Sequence, residues 1–123
     1  MKRLSDLFLS LTAVTFLVLF ILCFNVKAET NVGGIEYNIA AAYTIEEMFN
    51  DNYLVSRNYA DYYVKPIVWL YLDYNAKKNL IIYCAHHYVS KGGGALRSVL
   101  YDSQTGKKLG ATAVFSSSGV KIY

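Results

Sequence analysis

Hydrophobic and polar positions divide the chain into an N-terminal apolar run and a longer part with mixed patterning. Residues 7–24 contain no charge, follow two basic residues, and precede a polar step that ends at Ala28. A basic start, an apolar stretch and a small residue at the cut site are the features of a secretory signal. We therefore predict that residues 1–28 are a signal peptide and that residues 29–123 form a single secreted domain.

An uncleaved membrane anchor is the alternative for the same segment. Residues 7–24 are at the lower length limit of a helix that spans a bilayer. The basic residues ahead of the segment would still direct the rest of the chain outward. In that case the protein would stay at the membrane surface and touch the membrane through this segment only.

Strand-like patterning dominates the part of the chain after residue 28. Segments of alternating or continuous apolar character are separated by polar or Gly-rich stretches, including a polar turn at residues 75–79. Residues 102–107 have the composition of a hairpin loop in which Gly106 can adopt a positive φ. The predicted strands are residues 32–39, 67–74, 80–89, 95–101, 109–116 and 120–123.

One helix is predicted from a capping box. Thr44 is followed three residues later by Glu47, and the two side chains can satisfy each other's backbone N–H groups at a helix start. The expected helix covers residues 45–55, although the polar residues 50–52 favour an earlier end. The predicted fold is therefore mainly β: a small antiparallel β-sandwich or meander sheet of five to six strands with one short helix.

Charge and aromatic content narrow the possible partners. After residues 1–28 are removed, nine of the twelve Lys and Arg residues and eight of the nine acidic residues remain. This near-neutral balance argues against nucleic acid as a partner. All twelve tyrosines lie in the exported part, and such side chains suit both sheet faces and binding surfaces because the ring packs while the hydroxyl stays wet.

The thiol and imidazole groups give little support for catalysis or metal binding. Cys84 is the sole exported cysteine and lies in an apolar run, so we expect a buried thiol, with an intermolecular disulfide as the alternative. His86 and His87 are adjacent, and on a strand they would point to opposite faces, one towards the core edge and one into water. We therefore expect no metal and no cofactor.

An enzyme using Cys84 and His86 is a third possibility beside two binding functions. On a strand these two side chains would share one face. The surrounding sequence supplies no positive charge to lower the pKa of the thiol. We therefore predict a protein that is not an enzyme.

Several segments together resemble the lactococcin 972 family of small secreted bacteriocins. They are a Gly-Gly opening with Tyr at residues 33–39, a Ser-Arg-Asn-Tyr stretch at 56–59 or the His-containing stretch at 83–90, and closing stretches at 110–113 and 119–123. Ile35 stands where the family has Trp, and Asn38 where Gly is usual. The resemblance implies a compact β-sandwich that binds a cell-wall precursor and blocks septum formation in sensitive bacteria.

The expected function is therefore that of a secreted, non-enzymatic antibacterial protein acting at the bacterial cell envelope. A secreted binding, inhibitor or immunity-like module that recognises another protein is the alternative. Both need exposed polar groups, and the tentative binding residues are Arg57, Lys65, His86 and His87. The sequence does not identify the target.

Overall fold

The computed structural model describes residues 29–32, 34–113 and 119–123. The predicted signal peptide, residues 1–28, lies outside this part of the chain. The described part contains strands and helices in the following order: β1 (Glu29–Val32), β2 (Ile35–Asn38), α1 (Ile39–Asn50), β3 (Leu54–Asn58), β4 (Asp61–Val64), α2 (Pro66–Tyr71), α3 (Tyr74–Ser90), β5 (Arg97–Asp102), β6 (Lys108–Ala113) and β7 (Val120–Ile122). No helix in the described ranges combines the length and hydrophobicity needed to cross a bilayer.

Strands β3 to β7 form a mixed sheet in sequential order. The pair β4–β5 is parallel, whereas the other neighbouring pairs are antiparallel. The parallel pair follows from its connection, because α2 and α3 carry the chain back to the starting end of the sheet before β5 begins. Strands β1 and β2 form a separate antiparallel hairpin that contacts α3.

Helices α1 and α3 pack together, and α3 covers one face of the sheet. The side chains between these layers are fully or nearly fully buried: Ile45 and Met48 from α1, Leu80, Ile81 and Cys84 from α3, and Tyr62, Val64 and Leu100 from the sheet. The experiments below use residues 29–123, the portion that follows the predicted signal peptide.

The prediction of a short helix is confirmed, but its start is wrong. The cap is Asn38, whose side-chain oxygen accepts a hydrogen bond from the Ala41 N–H at 2.9 Å. Thr44 lies inside α1, where its hydroxyl donates to the Ala40 carbonyl at 2.9 Å. The apolar residues before Thr44 continue the helix backward, and Asn38 satisfies the free N–H groups of its first turn.

The predicted strands at residues 67–74 and 80–89 are wrong, and helices stand in their place. Pro66 begins α2, where its missing N–H costs nothing. Asp73 caps α3 by accepting from the Ala76 N–H at 2.8 Å, so the predicted polar turn at 75–79 is the start of a helix. The buried positions of α3 recur every three to four residues, at Ala76, Leu80, Ile81, Cys84 and Ala85.

The predicted fold class is therefore confirmed only in part. A five-stranded sheet is present, and β5, β6 and β7 lie where strands were expected, joined in part by a loop in which Gly106 has a φ of 73°. An antiparallel sandwich or meander is wrong, because the sheet is mixed and helices cover one of its faces. The hairpin of β3 and β4 was not predicted, since residues 54–64 are short, polar and Tyr-rich.

Candidate functional site

The sheet face opposite α3 carries a row of directly paired residues. The strand register places Asp61 beside Val99, Val99 beside Ala111, and Ala111 beside Lys121. Cross-strand partners point to the same face of a sheet. The neighbouring positions Ser98 and Gly110 point the other way, since the Ser98 hydroxyl donates to the Ile81 carbonyl of α3. We call the face that contains the Asp61 to Lys121 row the open face.

Three tyrosines and two lysines form a cluster on the open face. The rings of Tyr63 and Tyr101, from the parallel pair, stack with centroids 5.2 Å apart and an interplanar angle of 19°. Tyr101 pairs across the sheet with Lys108. The Nζ atoms of Lys108 and Lys121 lie 5.6 and 5.0 Å from the centroid of the Tyr123 ring. Both lysines therefore make cation–π contacts with a ring that is itself more than half exposed.

A trough of about 530 Å³ opens between β5, β6 and β7. Three of its lining residues, Ala60, Ala111 and Ala113, have small side chains and leave space that larger side chains would fill. The positively charged residues Arg97 and Lys121 line the same trough. Its volume is within the range of small-ligand sites.

Charge on the open face is predominantly positive. Lys108 and Lys121 contribute cations, and Asp61 contributes one carboxylate. Arg97 lines the end of the trough, where its guanidinium lies 5.9 Å from the ring centroid of Tyr88 in α3. Partial burial raises the pKa of Tyr101, and the charge of Asp61 raises it further. The Tyr101 hydroxyl is therefore a neutral hydrogen-bond donor at physiological pH. The arrangement suits an anionic ligand that also has a flat or ring-shaped surface.

A second polar group of residues lies inside the protein and joins α1, α3 and β4. The Tyr62 hydroxyl and His87 Nδ1 are 2.6 Å apart, and His87 Nε2 is 2.9 Å from Glu46 Oε1. The ammonium of Lys91 contacts the same Glu46 oxygen. The ring of Phe49 packs against both Tyr62 and His87.

The protonation states of this group follow from its burial. Burial lowers the pKa of His87, and the opposing effect of its hydrogen bond to Glu46 does not reverse the shift. The hydrogen bonds from Lys91 and His87 lower the pKa of Glu46, and burial raises the pKa of Tyr62. At neutral pH a neutral His87 therefore donates through Nε2 to ionised Glu46 and accepts the Tyr62 proton at Nδ1.

The order carboxylate, imidazole and hydroxyl is the order found in nucleophilic triads. Here the hydroxyl belongs to Tyr62, whose side chain is 0% exposed. A substrate cannot reach that oxygen in this conformation. The arrangement instead satisfies buried polar atoms and fixes the position of α3 relative to α1 and the sheet.

His86 makes a separate contact. Its Nδ1 accepts a hydrogen bond from the backbone N–H of Asn38 at 3.0 Å, and burial lowers its pKa. The expectation that one histidine ring lies in water is therefore wrong, because His86 is half-buried and bonded while His87 is buried. Adjacent helical positions differ by about 100°, so the two rings serve different neighbours.

The four tentative binding residues do not form one site. Arg57 lies on the edge strand β3 and donates to the Tyr59 carbonyl at 3.0 Å, and Lys65 occupies the N-cap position of α2. His86 and His87 make the hydrogen bonds described above with other parts of the protein. The residues that do cluster, Tyr63, Tyr101, Lys108, Lys121 and Tyr123, were not singled out from the sequence. In β4 and β5 the tyrosines alternate with buried residues, which indicates that they lie on the outer face of a sheet. Only the pairing of the strands brings the five residues together.

Cys84 is a free, fully buried thiol, and burial raises its pKa. The expectation of a buried cysteine is confirmed. The expected sharing of one face by Cys84 and His86 is wrong, because positions two apart on a helix point in nearly opposite directions. Within the described ranges, no cluster of His, Cys, Asp and Glu has the arrangement of a metal site.

Comparison with known proteins gives no relative for this chain. No protein-family model, no curated protein and no solved structure matches it significantly. The resemblance to the lactococcin 972 family stays a prediction.

Proposed function

We propose that this protein is exported, is not an enzyme, and acts at the bacterial cell envelope by binding a phosphate-bearing glycan on the open face. The observation that carries the proposal is the trough lined by Arg97 and Lys121, together with the stacked rings of Tyr63 and Tyr101, of which Tyr101 follows the trough residue Val99 two positions further along β5. Aromatic rings offer apolar surfaces on which sugar rings can pack, and cations bind phosphate oxygens. A glycan with phosphate groups presents both features at once.

The surface is ready for a ligand without rearrangement. Hydrogen-bonded strands hold the tyrosines, and the Tyr63–Tyr101 stack lies directly over the parallel pair β4–β5. Little conformational entropy is therefore lost when these rings meet a ligand. The lysines keep mobile ammonium groups that can move from the Tyr123 ring to a phosphate.

Antibacterial action is the consequence that we propose for envelope binding. Occupation of a wall glycan or its precursor would interfere with wall assembly, which agrees with what the lactococcin 972 resemblance implies. Purified residues 29–123 should then inhibit growth of sensitive bacteria. Absence of both growth inhibition and wall affinity across a broad bacterial panel would overturn this function.

The direct test is sedimentation of residues 29–123 with purified cell-wall sacculi, before and after chemical removal of the phosphate-linked polymers. We expect binding to untreated sacculi, and at least a tenfold loss after removal or in Lys121→Glu. Tyr101→Ala should weaken binding severalfold. Arg57→Glu is the matched control, since it makes the same charge change on β3. Equal binding by all variants would contradict the proposed site.

A second candidate function is recognition of another protein through β3. This strand is at the edge of the sheet, and its Val55 side chain is exposed, as is the adjoining Tyr59. Edge strands can accept a further strand from a partner. Affinity capture of one defined envelope protein, lost in Val55→Lys but kept in Lys121→Glu, would favour this function over glycan binding.

A further inference from the structure

Helix α2 and the start of α3 expose a group of large apolar side chains. Leu70 is 74% exposed, Tyr74 64%, Tyr71 49% and Ile67 37%. We call these four residues the α2 patch. Exposed apolar residues are common when scattered singly, but a contiguous group usually marks an interaction surface.

The fold does not require the apolar character of these positions. Val68, 2% exposed, and the partly buried Trp69 connect α2 to the core. Leu70 points outward from this short helix and gains little from folding, and Ile67, 37% exposed, is partly accessible beside it. Polar residues at these positions would leave the described core contacts unchanged.

Basic residues flank the α2 patch along the chain, and Lys78 contacts the patch residue Tyr74. The stretch of residues 65–78 contains Lys65, Lys77 and Lys78 against the single acid Asp73. The Nζ atom of Lys77 lies 5.0 Å from the Trp69 ring centroid, and that of Lys78 lies 5.5 Å from the Tyr74 ring centroid. The Asp73 side chain is already used to cap α3. The apolar centre therefore has a rim with a net positive charge.

We propose that the α2 patch docks the protein onto the surface of an anionic lipid bilayer. Leu70 and Ile67 enter the boundary of the acyl chains, where apolar surface leaves water. Tyr71 and Tyr74 lie at the headgroup level, where aromatic side chains with polar tips are favoured. Lys65, Lys77 and Lys78 extend to the lipid phosphates.

The composition of the rim favours a bilayer over a protein partner. Lysine is depleted in protein–protein interfaces, whereas lysine and tyrosine beside leucine are typical of membrane-surface segments. The α2 patch shares no residue with the lining of the trough. Variants of one surface therefore test its binding activity separately from that of the other.

Trp69 provides a direct measurement, because it is the only tryptophan of the chain and lies within α2. Residues 29–123 are mixed with vesicles of phosphatidylcholine alone or of equal parts phosphatidylcholine and phosphatidylglycerol. Sedimentation measures binding, and a blue shift of Trp69 emission reports burial of the patch. We expect both signals with the anionic vesicles, and a decrease as salt is raised because the lipid charge is screened.

Two variants test the apolar and charged parts separately. Leu70→Ser should lower the vesicle partition coefficient at least tenfold, because a leucine side chain no longer enters the bilayer. Lys78→Glu should lower it by roughly fivefold or more, since each basic residue near an anionic surface adds about that factor. Circular dichroism should be unchanged in both variants, because both side chains lie at the surface.

Two matched controls alter the surface elsewhere: one removes an exposed aromatic ring, and the other reverses a charge. Tyr59→Asn removes a ring that is 76% exposed on the β3–β4 turn, and Lys107→Glu reverses a charge in the β5–β6 loop. Both should bind vesicles as the parent does. No binding to anionic vesicles, or full binding by Leu70→Ser, would overturn the proposal. Equal binding to neutral and anionic vesicles would also overturn it. The same holds if Leu70→Ser loses a defined protein partner but still binds vesicles.

Discussion

The Tyr62 hydroxyl lies 2.6 Å from Nδ1 of His87, and this contact joins β4 to α3 inside the core. Both side chains are almost completely buried. The imidazole can accept the tyrosine proton because its other nitrogen donates to Glu46. Removal of any member leaves a buried polar atom without a partner, which costs more than the hydrogen bond contributes when it is made.

Tyr62→Phe should lower the free energy of unfolding by about 1–3 kcal/mol, because His87 Nδ1 would lose its donor in a buried site. Urea denaturation of residues 29–123 measures the change. Tyr63→Phe is the matched control: its ring is on the open face, and we expect a change within about 0.5 kcal/mol. Similar losses in both variants would show that the buried hydrogen bond does not stabilise the fold.

Stability should fall as the pH falls below about 6.5. In the unfolded chain both histidines have their ordinary pKa near 6.5, whereas burial lowers the pKa of His86 and His87 in the folded protein. Below that pH the unfolded chain therefore binds more protons, and folding is disfavoured. Protonation also removes the two Nδ1 acceptors, towards Tyr62 and Asn38.

Glu46 extends the same trend to lower pH. Its pKa is lowered by Lys91 and His87, so its contribution is present above its ordinary pKa and is lost as the pH falls through the lowered value. Urea denaturation at pH 7.5, 6.5, 5.5, 4.5 and 3.5 measures both steps. The double variant His86→Gln/His87→Gln should flatten the upper step and keep the part of the lower step that Lys91 supplies. Constant stability from pH 7.5 to 5.5 in the parent would contradict this explanation.

Gly110 is required because α3 lies directly over it. A Cβ atom at this position would be 2.4 Å from Ile81 Cδ1 and 2.9 Å from the Lys121 carbonyl oxygen. Gly110→Ala should therefore cost about 1–3 kcal/mol through overpacking, measured by thermal or urea unfolding. Ile81→Val in the same chain should recover part of the loss by removing the nearer atom. Gly94→Ala, where a Cβ meets nothing within 4 Å, should have little effect.

The sequence was most informative where local chemistry decides the structure. The loop at residues 102–107 was predicted from its Asp and Gly, and there the Asp102 side chain accepts from the backbone N–H groups of Gln104 and Thr105. Residues 80–89 were misinterpreted because nearly every position is apolar or aromatic, and such a run fits a buried strand as well as a helix. The cap at Asp73 was the missed signal that favours the helix.

The open face could not be predicted because its residues come from distant parts of the chain. Tyr63 and Tyr101 stack only because β4 and β5 pair in parallel, which depends on α2 and α3 being helices. Residues 54–64 were not predicted to form strands, so no neighbour of Tyr101 was expected there. His86 and His87 were predicted to bind a ligand because they carry polar imidazole groups. In the structure these groups make hydrogen bonds inside the protein instead.

Ala111 offers a test of the trough that does not disturb charge. It lies between Val99 and Lys121 on the open face and lines the trough, so Ala111→Phe should fill the space that we assign to the glycan. Affinity for cell-wall sacculi should fall at least tenfold. The free energy of unfolding should change by less than about 0.5 kcal/mol, because the new ring faces solvent.

Val99→Ala in the same row is the matched control for Ala111→Phe, since it enlarges the trough and leaves the cations in place. Its affinity for sacculi should stay within a few-fold of the parent. Vesicle binding should be unchanged in both variants, because the α2 patch is intact. Full affinity of Ala111→Phe for sacculi, with its fold preserved, would place the glycan elsewhere and leave β3 as the better candidate surface.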